Sequence, residues 1–570
     1  MVKKVRVAAV QFAIGADEDE NLATCLRMID EAATHEPELM VLPEFLNHHA
    51  LVDNFDRAYS VAVDLDGPFL RAIGVKAAEH HCYVVVNCTV RRRDNTVTDT
   101  NILIGPDGKR LATSDKQVLI GPENDFLAKA TELGPIVETP LGRIGMYSCM
   151  DGVLPETARC LALRGAQILC NTLNSCAEDE AVLHIPARAA ENKVFVVAAN
   201  KIGPIVPLET GAGALSTESN SDDDKHEHYY GAGESQIVAP DGTVLARAPR
   251  DKEGVAVADI DVFLADDKVR PDGTDIFSTR RPELYGPIAQ QPGPRRYVPG
   301  ADEAMVAVYQ PDENKPGTLE GTAAAVADAV VQGAQLIVLP ELFYLKGGYV
   351  DDVHAASNAG QHAVSLLKTA LDGTVAYVAT SIVAATGHGG FQHCGVLVGG
   401  DGVVLRQTQL HACGRHRWVT KLGDLIATYS LPWARIALIV GGDVIYPEVF
   451  RLAALQDVEV VAAPSALIEY WENSTGLVER GAENRFTVVA ATRASDTNAS
   501  MIVAPSPEFS FLERTFDGTL NLPAVTVADT QPGLTTALVH PKSAGQRLMF
   551  PNTDVVDGRP WNLLAPLLKV

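Results

Sequence analysis

The sequence lacks any apolar run that approaches the ~20 residues that a membrane-spanning helix needs. Its first residues, Met1-Val2-Lys3-Lys4, lead straight into the apolar stretch 5–10 and do not resemble a secretory signal. The nine cysteines are an odd number, and none of them shows the paired spacing of a metal site. We therefore expect a soluble protein of the reducing cytoplasm that holds no metal.

Basic residues are also scarce. The 47 Lys and Arg residues stand against 72 Asp and Glu residues, which gives a formal net charge of −25. We therefore expect neither nucleic acid nor anionic membrane as a partner, because both attract proteins through positive charge. The hydrophobic fraction of 46% is typical of a globular protein. Because 570 residues are too many for one ordinary core, the length predicts two or more domains.

The chain contains one sequence pattern twice. The offset between paired segments is 299 at the first pair, 292 near the middle and 265 at the last pair. The drop from 292 to 265 places 27 extra residues in the first copy, within the segment 201–230. That segment is either a cap over a pocket or a flexible surface loop. The pairs are 7–11 with 306–310, 40–45 with 337–342, 155–156 with 447–448, 188–192 with 480–484, and 237–240 with 502–505.

Each copy alternates short apolar strands with helices, which predicts an α/β architecture with sheets buried on both faces. The first amphipathic helix is predicted at 21–33, and its counterpart in the second copy at 317–333. The other strands of the first copy are predicted at 82–90, 102–104, 136–138, 144–148, 168–171 and 194–199.

The boundary between the copies is marked by composition. The stretch 281–300 is rich in Pro, Gly and Gln, and an Arg-Pro pair recurs near the end of each copy, at Arg281-Pro282 and Arg559-Pro560. The sequence therefore predicts three parts. These are a first domain at 1–290, a linker at 291–303 and a second domain at 304–570.

Three residues of the first copy have positions that suit chemistry. Glu44 ends an apolar strand, and the carboxyl ends of strands in α/β sheets are where sites collect. Cys149 ends another strand before a helix start, where backbone N–H groups favour a thiolate and an oxyanion. Lys116 follows a turn at 105–108. Taken singly, these residues also fit a surface carboxylate, a buried core thiol and an exposed strand lysine.

The three residues in this order resemble the nitrilase or carbon–nitrogen hydrolase superfamily. Lys116 follows Glu44 by 72 residues, and Cys149 follows Lys116 by 33. The similarity covers most of residues 5–290 and includes the motif at 188–192. The segment from Cys149 to Arg159 resembles the amidase side of the family, because true nitrilases usually carry Trp-Glu where this chain has Met150-Asp151.

The resemblance implies a catalytic triad of Glu44, Lys116 and Cys149, with Glu123 as a second glutamate. It implies that Lys116 and the Met150 N–H hold the oxyanion, and that no cofactor takes part. It also implies two tandem αββα four-layer sandwiches, packed as a pseudo-dimer within one chain, on which a homo-oligomer could be built.

The resemblance implies the cleavage of a small carboxamide to an acid and ammonia or an amine through a thioester. Cleavage of an N-carbamoyl group or of a nitrile by the same triad remains an alternative. A different class is a non-catalytic binding or assembly protein. Thiol labelling together with a panel of amides, carbamoyl compounds and nitriles distinguishes these possibilities.

The second copy keeps Glu341 but has Gly441 at the cysteine position. Its lysine position falls on Gln409 or Leu410, and Cys413 is too far upstream to replace the missing thiol. We therefore expect the second copy to be inactive by this mechanism and to serve as a scaffold for the first copy. The remaining polar candidates are interpreted as a solvated loop without metal-ligand spacing, and they are His393, Cys394, His411 and His416.

Overall fold

The computed structural model describes residues 4–49, 54–205, 229–295, 297–311, 318–387, 389–493, 498–510 and 516–569. Within these residues each copy of the repeat forms two six-stranded sheets. The predicted α/β class is therefore confirmed. Most of the insertion predicted at 201–230 lies outside the described residues, at 206–228, so the cap and the surface loop both stay hypotheses.

The first copy contains twelve strands among its described residues. They are β1 (Lys4–Gln11), β2 (Leu39–Val41), β3 (Tyr83–Arg91), β4 (Val97–Ile104), β5 (Arg110–Asp115), β6 (Val137–Thr139), β7 (Gly142–Ser148), β8 (Ile168–Thr172), β9 (Phe195–Ala199), β10 (Gln236–Val238), β11 (Val244–Arg247) and β12 (Gly254–Asp261). The helices between them are α1 (Glu18–Ala33), α2 (Phe55–Val61), α3 (Pro68–Glu79), α4 (Glu123–Phe126), α5 (Met150–Val153), α6 (Pro155–Leu163) and α7 (Ile185–Asn192), with a π-helix at Glu180–His184.

The two sheets of the first copy have the orders β12-β1-β2-β3-β4-β5 and β11-β10-β9-β8-β7-β6. The central strands are parallel, with β1, β2 and β3 in one sheet and β7, β8 and β9 in the other. Parallel strands align their carboxyl ends at one edge. The ends of β2 and β7, which precede Glu44 and Cys149, therefore lie at such edges.

Both faces of the first sheet are buried, which explains why its strands show little polar alternation. In β1, Val7 and Ala9 belong to the core between the two sheets, together with Met146 of β7. Their neighbours Ala8 and Val10 point the other way, into the core under helices α1 and α3. The layer order is helix, sheet, sheet, helix.

The second copy repeats this architecture. Its strands are β13 (Ala304–Gln310), β14 (Leu336–Val338), β15 (Tyr377–Ala385), β16 (Phe391–Gly399), β17 (Gly402–Thr408), β18 (Thr428–Ser430), β19 (Arg435–Leu438), β20 (Val460–Pro464), β21 (Thr487–Ala491), β22 (Met501–Ala504), β23 (Ala524–Val527) and β24 (Gly533–Val539). Its helices are α8 (Thr318–Val331), α9 (Val353–Ala370), α10 (Pro447–Ala454) and α11 (Leu477–Asn484). The sheet orders are β17-β16-β15-β14-β13-β24 and β18-β19-β20-β21-β22-β23.

Helix α1 begins earlier than its apolar periodicity predicts. It starts at Glu18, because the Asp17 carboxylate accepts hydrogen bonds from the N–H groups of Asp19 and Glu20 and caps the helix. The acidic first turn also suits the positive end of the helix dipole. Among the described residues, no helix combines the length and the apolar character needed to cross a bilayer.

The chain forms two compact units, and each combines residues from both copies. Unit 1 consists of Met1–Asp267 together with Phe509–Leu520 and Leu548–Leu567. Unit 2 consists of Lys268–Glu508, Asn521–Arg547 and Leu568–Val570. A short two-stranded sheet, β25 (Leu548–Phe550) with β26 (Thr553–Asp554), therefore belongs to unit 1. The repeat boundary in the sequence and the compact units in the fold are different divisions of this chain.

We expect residues 1–295 expressed alone to fold poorly, since unit 1 then lacks two of its segments. Five apolar side chains of the segment 548–567 are fully or almost fully buried, and burial of each contributes about 1.5–3 kcal/mol. Their loss would consume much of the ~5–15 kcal/mol that stabilises an ordinary domain. The measurement is thermal unfolding of the fragment, with co-expression of 296–570 as the control. A fragment that matches the full chain in melting temperature would contradict this expectation. The five side chains are Met549, Val555, Val556, Leu564 and Leu567.

Candidate active site

Glu44 is placed by the end of strand β2. Its own N–H donates to the Leu173 carbonyl at 3.1 Å, and its side chain is 1% exposed. The next residue, Phe45, has a φ of 51°, and its N–H donates to Asn87 Oδ1 at 2.9 Å. Lys201 Nζ donates to the Phe45 carbonyl at 3.2 Å. These contacts hold the turn that directs the Glu44 carboxylate inward.

Lys116 follows strand β5 and is buried among carboxyl groups. Its Nζ atom lies 2.8 Å from Glu44 Oε1 and 2.9 Å from Glu123 Oε1. Asp99 Oδ2 lies 3.4 Å from the same nitrogen. Taken singly, Lys116 also fitted an exposed strand lysine. That interpretation is wrong, because its side-chain exposure is 0%.

Asp99 is a member of this cluster that the sequence analysis missed. It points inward from strand β4, where an acidic residue in a buried strand was the available signal. Two buried oxygens, Glu44 Oε2 and Asp99 Oδ2, accept no hydrogen bond among the described residues, although Lys116 Nζ lies 3.4 Å from Asp99 Oδ2. A proton held on Asp99 would allow the carboxylic acid to donate to the Glu44 carboxylate, an interaction that lowers the pKa of Glu44.

The pKa values of the cluster agree with this assignment. Burial and the adjacent Glu44 carboxylate raise the pKa of Asp99 well above its usual range. Burial also raises the pKa of Glu44 and of Glu123, against the opposing effect of Lys116. Burial alone would lower the pKa of Lys116, but Glu123, Glu44 and Asp99 together raise it. These carboxyl groups therefore favour the ammonium form of Lys116.

Cys149 directly follows strand β7 and has a strained backbone conformation that persists only where surrounding contacts hold it. Its φ is 45° and its ψ is −108°, and its N–H donates to Thr172 O at 2.9 Å and to Asn171 Oδ1 at 3.1 Å. Helix α5 begins at the next residue, Met150. The Met150 N–H is thus in the first turn, where backbone donors have no acceptor inside the helix.

Asp151 ties the turn after Cys149 to the turn after Lys116. Its Oδ1 atom accepts hydrogen bonds from the N–H groups of Gln117 at 3.0 Å and Val118 at 2.8 Å. The side chain is buried, and burial raises the pKa of Asp151 to about 7. This residue entered the sequence analysis only as part of the Met150-Asp151 pair, because its partners are more than 30 residues away.

The environment of Cys149 favours the neutral thiol, which differs from the thiolate that a helix start predicts. Burial raises the pKa of the Cys149 thiol well above its usual range, and the Glu44 carboxylate adds to this effect while Lys116 opposes it. Helix α5 has only four residues, so its dipole is weak.

The sequence pattern of one family matches this chain twice. The carbon–nitrogen hydrolase pattern covers residues 6–267 and again residues 304–532. The chain belongs to the carbon–nitrogen hydrolase family. The predicted nitrilase-superfamily resemblance and the tandem duplication are confirmed, and the family's activity is hydrolysis of a carbon–nitrogen bond.

Relatives with named activities each match about half of the chain. A nitrilase from Pyrococcus abyssi is 27% identical over 284 residues, which is 49% of this chain and 99% of the relative. The deaminated glutathione amidase of Mus musculus is 26% identical over 301 residues, or 50% of this chain and 85% of that protein.

Two solved structures also align with part of the chain. The Caenorhabditis elegans NitFhit protein aligns with 50% of this chain and 66% of its own, at 25% identity and a TM-score of 0.41. An amidase of the nitrilase superfamily from Nesterenkonia aligns with 47% of this chain and 95% of its own, at 20% identity and a TM-score of 0.39.

The second carbon–nitrogen hydrolase copy keeps the backbone of the site. Leu342 has a φ of 46° where Phe45 has 51°, and Gly441 has 60° where Cys149 has 45°. The Gln409 N–H donates to the His393 carbonyl at 3.0 Å, as the Lys116 N–H donates to Asp99 at 2.9 Å. Of the two residues predicted at the lysine position, Gln409 is therefore the equivalent one.

The side chains of this second site have the opposite polarity. The Gln409 Nε2 donates to the His411 carbonyl at 2.6 Å, so its Oε1 atom is an acceptor. That oxygen lies 2.6 Å from His393 Nδ1 and 2.8 Å from His416 Nδ1. In the second copy, the imidazoles of His393 and His416 surround the Gln409 oxygen. In the first copy, carboxyl groups surround the Lys116 ammonium ion. The predicted solvated loop is wrong, because His393, Cys394, His411 and His416 are all buried.

Gly441 has no room for a thiol. A Cβ atom placed there would lie 2.8 Å from both Gln409 Oε1 and His393 Cε1. Cys413, which looked too distant in sequence, is close in space: its Sγ atom lies 3.2 Å from a Cβ position built on Gly442. Its thiol donates to Asp272 Oδ2 at 3.4 Å.

One group of side chains in this second site has the composition of a metal site. Glu341, His393 and His416 each place one donor atom within 4.8 Å of the others. However, both ring nitrogens of His393 already have partners, at Gln409 and at Ser381, and Arg415 contacts the Glu341 carboxylate. We therefore interpret this group as a hydrogen-bonded network.

We expect Gly441→Cys to create no second site. In a chain that also carries Cys149→Ser, turnover stays absent, and unit 2 loses about 1–3 kcal/mol because the new side chain overpacks its surroundings. Turnover and the melting temperature are the measurements. Gly387→Cys is the matched control, because a Cβ there meets nothing within 4 Å. Recovery of turnover by Gly441→Cys would contradict the expectation that this position has no room for a working thiol.

Proposed function

We propose that unit 1 hydrolyses the carbon–nitrogen bond of a small carboxamide through a thioester on Cys149. The observation that carries this proposal is the cluster around Lys116, whose ammonium contacts Glu44 and Glu123 at 2.8 and 2.9 Å. Glu44, Lys116 and Glu123 are all close enough to shift the pKa of the Cys149 thiol. A base, a cation and a nucleophile thus share one buried site.

In the first half-reaction Glu44 takes the thiol proton, and the sulfur attacks the amide carbon. The negative charge that develops on the carbonyl oxygen is held by the Lys116 ammonium and the Met150 N–H. Glu44 then gives its proton to the nitrogen as the C–N bond breaks. Ammonia or an amine leaves, and the acyl group stays on Cys149 as a thioester.

In the second half-reaction Glu44 accepts a proton from water, and the hydroxide attacks the thioester. The C–S bond breaks, the acid leaves, and the proton returns from Glu44 to the sulfur. Asp99 supports this cycle by donating a hydrogen bond that favours the ionised form of Glu44. Glu123 holds Lys116 in place through their hydrogen bond.

The test is mass spectrometry of the full chain incubated with a panel of carboxamides, N-carbamoyl compounds and nitriles. We expect the mass of an acyl group on the peptide that carries Cys149, and release of ammonia from the same compound. An adduct only with carbamoyl compounds or nitriles would change the substrate class. Absence of any adduct, together with a Cys149 that resists alkylation, would favour a binding or assembly role.

A further inference from the structure

The turn between Lys116 and Glu123 sets where the second glutamate lies. Glu123 Oε2 accepts a hydrogen bond from the Ile120 N–H at 3.0 Å, and the Glu123 N–H donates to the Ile120 carbonyl at 3.1 Å. Gly121 is the next residue, and its φ of 51° is a left-handed conformation. A shift of this turn therefore moves the carboxylate that contacts Lys116.

This turn is held by the segment 548–554, which is the last part of the second repeat but belongs to unit 1. The Gly121 N–H donates to Thr553 Oγ1 at 2.8 Å, and Asn552 Nδ2 donates to the Gly121 carbonyl at 3.0 Å. The Phe550 ring lies 3.2 Å from where a Cβ of Gly121 would stand. Both polar groups of Gly121 thus have partners more than 400 residues away in sequence. The carbonyl also accepts from the Asn124 N–H at 3.1 Å, whereas the Gly121 N–H donates to Thr553.

The same contact occurs inside unit 2. The Gly414 N–H donates to Thr274 Oγ1 at 2.8 Å. Gly414 follows Gln409 by five residues, as Gly121 follows Lys116. Thr274 and Thr553 each precede an aspartate whose carboxylate accepts backbone N–H groups two and three residues later. The contact is therefore built twice, once beside a thiol and once beside Gly441.

We propose that Thr553, assisted by Asn552, is a positioning residue for the reaction of unit 1. It holds Gly121 and thereby keeps Glu123 on Lys116 when the ammonium must hold the oxyanion. This inference rests on the proposed function. The second repeat then has a specific role, because its C-terminal segment completes the site that the first repeat carries.

The experiment compares three variants of the full chain. Thr553→Val keeps the side-chain shape and removes the hydroxyl, Thr553→Ser keeps the hydroxyl, and Thr274→Val makes the same change in unit 2. We measure kcat and KM for ammonia release from the carboxamide that acylates Cys149. We also measure the pH dependence of Cys149 alkylation by iodoacetamide and the melting temperature.

We expect Thr553→Val to lower kcat by roughly tenfold with little change in KM, since small misplacements of catalytic groups cost up to ~10²-fold. Burial raises the pKa of the Cys149 thiol, and Glu44, Glu180 and Glu123 add to this effect while Lys116 opposes it. Withdrawal of Glu123 therefore moves the alkylation midpoint to lower pH. Thr553→Ser restores kcat to within about twofold of the unmodified chain, because the hydrogen bond is retained. Thr274→Val leaves kcat and the midpoint unchanged.

The inference is overturned if Thr553→Val keeps the kcat and the alkylation profile of the unmodified chain. It is equally overturned if Thr274→Val loses as much kcat as Thr553→Val, since the effect is then general stability. Should Thr553→Val not fold, Asn552→Ala replaces it at an exposed position, with a smaller loss of kcat expected and an unchanged kcat overturning the inference. The proposed function is tested separately on the unmodified chain. If that chain forms no acyl adduct on Cys149, the proposed function fails.

Discussion

Replacement of Cys149 by Ser is expected to lower turnover by a factor of about 10³ or more, because it removes the nucleophile of a covalent mechanism. A hydroxyl is a weaker nucleophile than a thiol, and Glu44 takes its proton less readily. The fold is expected to stay intact, since oxygen and sulfur differ little in size and the backbone at this position is held by Thr172 and Asn171. Ammonia release and the melting temperature are the measurements.

Cys413→Ser is the matched control for that experiment. It changes the other thiol that lies beside the equivalent strand end, in unit 2, against Gly442. We expect full turnover from this variant and no acyl group on its peptide. Full turnover from Cys149→Ser would refute the proposed mechanism. Loss of turnover from Cys413→Ser would indicate that the second copy is active.

Replacement of Lys116 by Met is expected to remove turnover and to destabilise unit 1. The change leaves Glu44, Glu123 and Asp99 buried without a cation, and breaking a buried ion pair by removing one partner costs about 3–5 kcal/mol. Lys109→Met, at a side chain that is 80% exposed, is the control and is expected to change neither property. The measurements are kcat and denaturant unfolding at pH 7.

The stability that Lys116→Met loses is expected to depend on pH. Its carboxyls stay buried, so their folded pKa values lie above the ~4 of the unfolded chain. These carboxyls then bind more protons in the folded than in the unfolded state, so their contribution to stability is most favourable below pH ~4 and falls as the pH rises. We expect the deficit against the unmodified chain to be largest near pH 7 and to shrink on acidification. A deficit that is independent of pH would contradict the carboxyl cluster as its cause.

The features that could be predicted from the sequence are those set by local patterns. The duplication follows from repeated motifs, and the α/β class follows from short apolar strands between helices. Glu44 and Cys149 could be singled out because each ends a buried strand, and strand ends are visible in a linear sequence. Lys116 had no such signal by itself and required the resemblance to a family.

The features that were missed depend on distant contacts. Asp99 joins the cluster through the register of β4 beside β3, and Asp151 bridges two turns whose residues are more than 30 positions apart. The proximity of Cys413 to Gly442 had no signal either, because sequence distance does not measure spatial distance. The same reason applies to the histidines of the second copy, whose burial depends on the sheets around them.

The repeated motifs are therefore enough to predict that the fold occurs twice and that only the first copy has a cysteine at this strand end. The residues that surround Lys116, and the closure of Gly441 by Gln409 and His393, become visible only in the folded protein. The same holds for the place of Thr553 in unit 1. The physical reason is that a strand end is a local property of the chain. A buried charge cluster or a satisfied backbone N–H, in contrast, is a property of groups brought together only by packing.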